Sequence, residues 1–195
     1  ILTILVLLAS ASVAFGAGVW SASATPSTLW SNDSSDPLGD VETAVNAVVS
    51  TIGSEPNTGV LGRGLWRYVK NHPDIIDRIK YAAGPNSPAV VGLQAIGALF
   101  GLDRILVGNA IADSAAENAT SVLAYLWGNH MLVAYVASNP SLLNPSAGYV
   151  FAYDATRRVE RFFEEQEHQQ VITGYDSWDT VITAADAGYR IVSAA

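Results

Sequence analysis

Residues able to do acid–base or nucleophilic chemistry are few and scattered in this chain. Its three histidines, His72, His130 and His168, fall on three separate elements. A Ser–His–Asp triad calls for a serine on a strained elbow of the Gly-x-Ser-x-Gly kind, and the sequence has none. His72 stands beside Pro73 and Asp74, a setting for helix capping rather than for a general base. His130 borders a turn, His168 lies in a run of charge, and no pair has the spacing of a helical metal site. Glu164, Glu165 and Glu167 could serve a hydrolase as paired acids across a cleft. Adjacent acids on a strand, however, point to opposite faces and cannot share a substrate. Arg157, Arg158 and Arg161, interleaved with Glu160, Glu164 and Glu165, read instead as a strip of ion pairs, either a solvated face or a subunit boundary. Gly62-Arg-Gly64 lacks the further glycine and the Lys-Ser/Thr of a phosphate loop and reads as a turn. No catalytic, metal or cofactor site is expected.

The bulk composition points the same way. A chain of 195 residues with 50% hydrophobic content can build a real core, as one compact domain or two small intertwined ones. Without cysteine, neither a disulfide framework nor a thiolate metal site can form, which suits production in a reducing compartment. The net charge of -8 argues against a protein that grips nucleic acid by neutralising phosphates, though not against a container that holds it loosely.

Residues 1 to 19 carry no charge and look like a signal-peptide core or a short membrane span. No initiator Met and no basic flank accompany them, so residue 1 is not expected to be the start of translation. After Leu8 the run is diluted by Ala, Ser and Gly, as in a buried segment of a longer protein.

The elements that would position any site follow in order. Residues 20 to 36 read as an extended connection whose Trp20 and Trp30 either pack back on the core or anchor an interface. Asp36 as N-cap, Pro37 at the first helical position and the stripe Leu38, Val41, Val45, Val48, Val49 and Ile52 predict a helix over 37 to 52, ended by Gly53. A strand over 58 to 61 leads into a helical piece at 65 to 70, and Pro73 restarts a helix with Ile75, Ile76 and Ile79 inward. A loop at 84 to 88, a helix over 89 to 100 and a strand over 104 to 108 come next. Apolar runs 121 to 127 and 130 to 136 flank Gly128-Asn129 and predict a hairpin. A strand over 149 to 153 and short strands around 171 to 173, 181 to 183 and 189 to 192 complete the chain.

This order of elements carries Ser35-Asp-Pro-Leu-Gly-Asp40, Glu55-Pro-Asn57, Lys70-Asn-His-Pro73, Asp77-Arg-Ile-Lys-Tyr81, Leu99-Phe-Gly-Leu102, Val107-Gly108 and Ala184-Ala-Asp-Ala-Gly-Tyr189. In that combination the chain, from about Trp30 to Ala195, resembles the major capsid protein family of tailed bacteriophages, with the Hong Kong 97-type fold.

The resemblance implies an α+β fold with an axial domain, a peripheral domain and a long spine helix. Residues 1–36 would be an N-terminal segment at the end of the extended loop, 37–53 the spine helix of the peripheral domain, 54–154 the axial domain and 155–195 a β return to the peripheral domain. It further implies a non-enzymatic structural protein, its partner being itself, in pentamers and hexamers of an icosahedral shell around double-stranded DNA that it does not read. Scaffold, portal and decoration proteins are possible further partners, no membrane is involved, and the expected place is the virion, assembled in the bacterial cytoplasm. Subunit-interface candidates are Trp30, Arg157, Arg158, Glu160, Arg161, Glu164 and Glu165. Some relatives cross-link Lys to Asn between subunits; no such residue is carried over here. An encapsulin-like shell shares the implied fold, and a secreted or membrane-anchored globular protein is the reading from a different class.

Overall fold

The computed structural model describes residues 19–83, 91–116, 119–141, 143–152, 158–166, 169–192 and 194–195. The apolar segment 1 to 18, the loop around 84 to 90, and Arg157, Glu167 and His168 lie outside the described residues.

A mixed five-stranded sheet organises the fold. Strands β1 (Ala22–Ala24), β2 (Thr58–Gly62), β3 (Arg104–Gly108), β6 (Met131–Ala134) and β11 (Gly188–Ile191) run in the spatial order β1-β11-β6-β2-β3. β2 and β3 are parallel and are joined through helices α2 (Arg63–Asn71), α3 (Pro73–Ala83) and α4 (Leu93–Leu99), whereas β6 is antiparallel to both β2 and β11. Of the three inner strands, β2 and β6 are buried along their whole length because apolar layers cover both faces. Period-2 alternation sorts their side chains. Leu61, Met131 and Val133 join one core with Trp30, Leu65, Val69 and Ile75, while Val60 and Leu132 join the other with Trp20, Trp127 and Ala187.

Helix α1 (Pro37–Ile52) forms where the capping signals put it. The Asp36 side chain accepts from the Gly39 amide at 3.0 Å, and Gly53 closes the helix in the left-handed region at φ 70°, where a side chain would be strained. Val41 and Val48 are buried as expected; Val45 is only partly so, and Ala44 takes the central position. The helix packs on β11, β6 and the 3-10 turn Ala185–Ala187. The sheet thus takes strands from segments 1–36, 54–154 and 155–195, and the helix of segment 37–53 packs on it, so all four contribute to one sheet layer and its cover.

Several expectations need correction. The runs before and after Gly128-Asn129 do not form a hairpin. β5 (Leu123–Tyr125) pairs with β4 (Ile111–Asp113), while β6 enters the centre of the main sheet. Burial decides this: β6 is apolar on both faces and fills a buried slot, whereas β5 is exposed throughout. Gly62-Arg-Gly64 is no separate turn, because β2 passes straight into α2. A Cβ at Gly62 would collide with the Gly128 carbonyl and one at Gly64 with the Asn129 side chain, so the glycines serve close approach. Among the described residues the helix expected over 89 to 100 covers only Leu93–Leu99. The strand expected at 181 to 183 is β10 (Trp178–Val181), which pairs with β7 (Tyr149–Ala152).

Candidate assembly surface

The strip of charge picked out in the sequence is a two-stranded ribbon. β8 (Arg158–Glu164) pairs antiparallel with β9 (Gln169–Tyr175), and both strands are largely exposed. The register fixes its two faces. Arg158, Glu160, Phe162 and Glu164 share one with Tyr175, Thr173, Val171 and Gln169; Val159, Arg161 and Phe163 share the other with Gly174, Ile172 and Gln170.

On the first face Arg158 Nε lies 2.9 Å from Glu160 Oε1, and its guanidinium covers the Tyr175 ring at 5.3 Å. Both charges are well exposed, so this pair adds little to folding. Arg161 donates to Gln170 Oε1 across the ribbon, and Gln169 donates to Glu164 Oε2 at 3.2 Å. Glu165 is exposed in the turn after β8. The structure therefore brings Arg158, Glu160, Arg161, Glu164 and Glu165 onto one projecting element; Arg157 lies outside the described residues.

Trp30 does not join them. It is 1% exposed, its indole N–H donates to Asp40 Oδ2 at 2.7 Å, and its amide donates to the Ala194 carbonyl. The core needs this large apolar ring, so it leaves no surface for a neighbour.

Sequence reasoning missed the apolar side of the ribbon. Val159, Phe163 and Ile172 are 74%, 57% and 66% exposed on one face, and Phe162 is exposed on the other. The signal was present as period-2 alternation inside a segment read for its charges alone. It also missed a cleft of about 470 Å³ on α2, lined by Arg63, Trp66, Arg67 and Lys70 with Tyr125 and Asn129. Those four α2 residues follow the i, i+3, i+4, i+7 spacing of one helical face. Arg67 stacks on Tyr68 at 4.9 Å.

Polar residues elsewhere serve the frame. Ser35 Oγ and His72 Nε2 are 3.0 Å apart, both residues almost fully buried. A serine beside a histidine is half of a hydrolytic triad, but neither residue lines a described pocket and His72 Nδ1 has no hydrogen-bond partner to orient the ring. Asn57 extends the sheet with its side chain: Nδ2 donates to the Val136 carbonyl at 2.8 Å and Oδ1 accepts from the Val136 amide at 3.0 Å. The Asp113 carboxyl accepts from Ser121 Oγ and from the Ala115 and Val122 amides, which hold it below its ordinary value, the serine foremost. His130 is pushed down, chiefly by burial and secondarily by Arg190. Among the described residues no group of three or more His, Cys, Asp and Glu could hold a metal ion, and no helix is long and apolar enough to cross a membrane.

Known proteins match both the chain and its fold. No protein-family model matches. The major capsid protein of Burkholderia phage BcepMu is 28% identical over 162 residues, 80% of this chain and 50% of that protein. The chain is thus similar to phage major capsid proteins. The major capsid protein of Pseudomonas phage JBD67 is 29% identical over 54% of this chain and 32% of that protein. A phage-related protein of Bordetella bronchiseptica shares the fold at TM-score 0.79 and 28% identity, over 94% of this chain and 59% of that structure. A virus-like particle protein of Pyrococcus furiosus shares the fold alone, at TM-score 0.52 and 12% identity, over 96% of this chain and 64% of its own. The chain spans half or less of the lengths of the two curated relatives it matches.

Proposed function

We propose that this chain is part of a structural capsid subunit that assembles with copies of itself into an icosahedral shell of pentamers and hexamers around the DNA of a tailed phage. The reading carries the Hong Kong 97-type fold with it: α1 as spine helix, residues 54–154 as the axial part and 155–195 as the return. The relationship to phage major capsid proteins over 80% of the chain supports it most directly. The ribbon adds a physical reason. A two-stranded ribbon with apolar side chains exposed on both faces is marginal by itself in water and gains by lying on another surface. Arg158, Glu160, Arg161, Glu164 and Glu165 would then set the register of the contact and the apolar residues would supply its area, as in interfaces with a dry centre and a charged rim. Chemistry plays no part in this role, and scaffold, portal or decoration proteins would be met only during assembly.

Electron microscopy of the purified full-length protein tests the reading. Closed shells with local fivefold and sixfold rings are expected. A monodisperse monomer at high concentration would overturn it and favour a globular protein of another class.

A further inference from the structure

Resting on the shell reading, we infer that the cationic cleft on α2 receives the acidic tip of the β8–β9 ribbon from a second copy of this chain. The cleft takes three of the ten Lys and Arg residues of a chain with net charge -8, and no acidic residue lines it. Arg63, Arg67 and Lys70 are exposed and make no ion pair among the described residues; Arg67 lies over the Tyr68 ring, which leaves its charge uncompensated. Trp66 and Tyr125 give the same cleft flat apolar walls against which the methylene stems of acidic side chains can lie.

The complementary group is on the ribbon. Glu164 ends β8 and Glu165 follows it in the turn, both exposed, at the end of strands that each extend about 24 Å. The two halves of the contact sit on different elements of the chain. One patch meeting a different patch is the heterologous arrangement that closes into rings, whereas a twofold contact would need a self-complementary patch. Like charges repel if copies meet cleft to cleft or tip to tip, so the pairing also excludes wrong registers. Nucleic-acid phosphate is the other polyanion that could enter the cleft. Three cations would neutralise few phosphates, and the acidic total opposes such binding.

Carbodiimide treatment of shells tests the contact without mutation, since it condenses a carboxylate with an amine, with loss of water, only where they touch. In shells reassembled from isotopically light and heavy protein, mixed-label peptides joining Lys70 to Glu164 or Glu165 are expected. Lys70 joined only to other carboxylates, or only within one copy, would overturn the inference.

Charge reversal gives a second arm. Arg67→Glu with Lys70→Glu, and separately Glu164→Lys with Glu165→Lys, should each lower shell yield about tenfold by placing like charges together, and all four changes in one chain should restore it. Folded variants that assemble at wild-type yield would overturn it. If Arg67→Glu with Lys70→Glu leaves yield unchanged but removes co-purifying nucleic acid, the cleft serves phosphate instead. Absence of shells from the wild-type protein would sink the shell reading itself, whereas shells indifferent to these changes would sink this contact alone.

Discussion

Ser35 Oγ lies 3.0 Å from His72 Nε2, joining the residue just before the N-cap of α1 to the residue that separates α2 from α3. Ser35 Oγ also contacts the Asn32 carbonyl at 2.8 Å and has one proton to give, which that carbonyl must take. The hydroxyl therefore accepts from His72, which places the ring proton on Nε2 and leaves Nδ1 as a bare lone pair. This accounts for the buried atom without a partner: it is an unmet acceptor rather than a stranded N–H.

Removing either side of this pair strands the other. Ser35→Ala leaves the Nε2–H without an acceptor, and His72→Ala adds a cavity to the lost bond. Each should cost about 1–3 kcal/mol of folding stability in urea unfolding, and the double variant less than the sum. Additive losses would show that the two side chains do not interact.

Gly108 lies against the Trp127 indole so closely that a Cβ would fall inside the ring's contact distance, and Gly188 meets Trp20 in the same way. The two indoles seal the second core from opposite sides of the sheet order, at β3 and β11. Gly108→Ala must push a fully buried ring from its site, and overpacking of this kind costs about 1–3 kcal/mol or more. Thermal melts should show a clear fall for Gly108→Ala and little change for Gly92→Ala, where nothing stands within 4 Å of a new Cβ. Equal stabilities would refute the packing argument.

Much of the frame was legible because local chemistry decides it. Ser35 through Asp40 reads as a helix start, and each part has a job: Ser35 meets His72, Asp36 caps, Gly39 makes room for the Asp36 carboxyl and Asp40 accepts from Trp30. Asn57 and Gly62 were visible as residues but not as reasons, since their partners Val136 and Gly128 lie far along the chain. The same limit explains the failed hairpin. Gly128 does take a positive φ of 51°, as a turn demands, but which strand β6 pairs with is set by burial on both its faces, a property of the whole sheet. On the candidate surface the charges were legible and their apolar neighbours were not, because a strong charge pattern masks period-2 alternation.

Stability should fall on mild acidification through His130. Burial, and then Arg190, depress its folded value below 6.5, so the unfolded chain binds a proton more readily. Its contribution is complete above about 6.5 and declines as pH falls from there toward the lowered folded value, below which it is constant. Urea midpoints of the wild type should therefore drop between pH 7 and 5, and His130→Gln should remove part of that drop. A midpoint profile identical in the two proteins would show that His130 is not the group responsible.

The apolar face of the ribbon separates folding from assembly. Val159, Phe163 and Ile172 are all more than half exposed, so the subunit has little to lose when they are replaced. Val159→Ser with Phe163→Ser should shift folding stability by only about 0.5 kcal/mol, as exposed substitutions do. If a neighbouring copy covers this face, the same changes remove the centre of an interface, where a few buried apolar side chains carry most of the binding energy. Circular dichroism should then report a folded subunit and size-exclusion chromatography a shift from shells to small species. Arg161→Glu, on the same face, should act in the same direction and more strongly at low salt. A variant that folds and closes shells at the wild-type concentration would mean that the ribbon stands free in the finished particle.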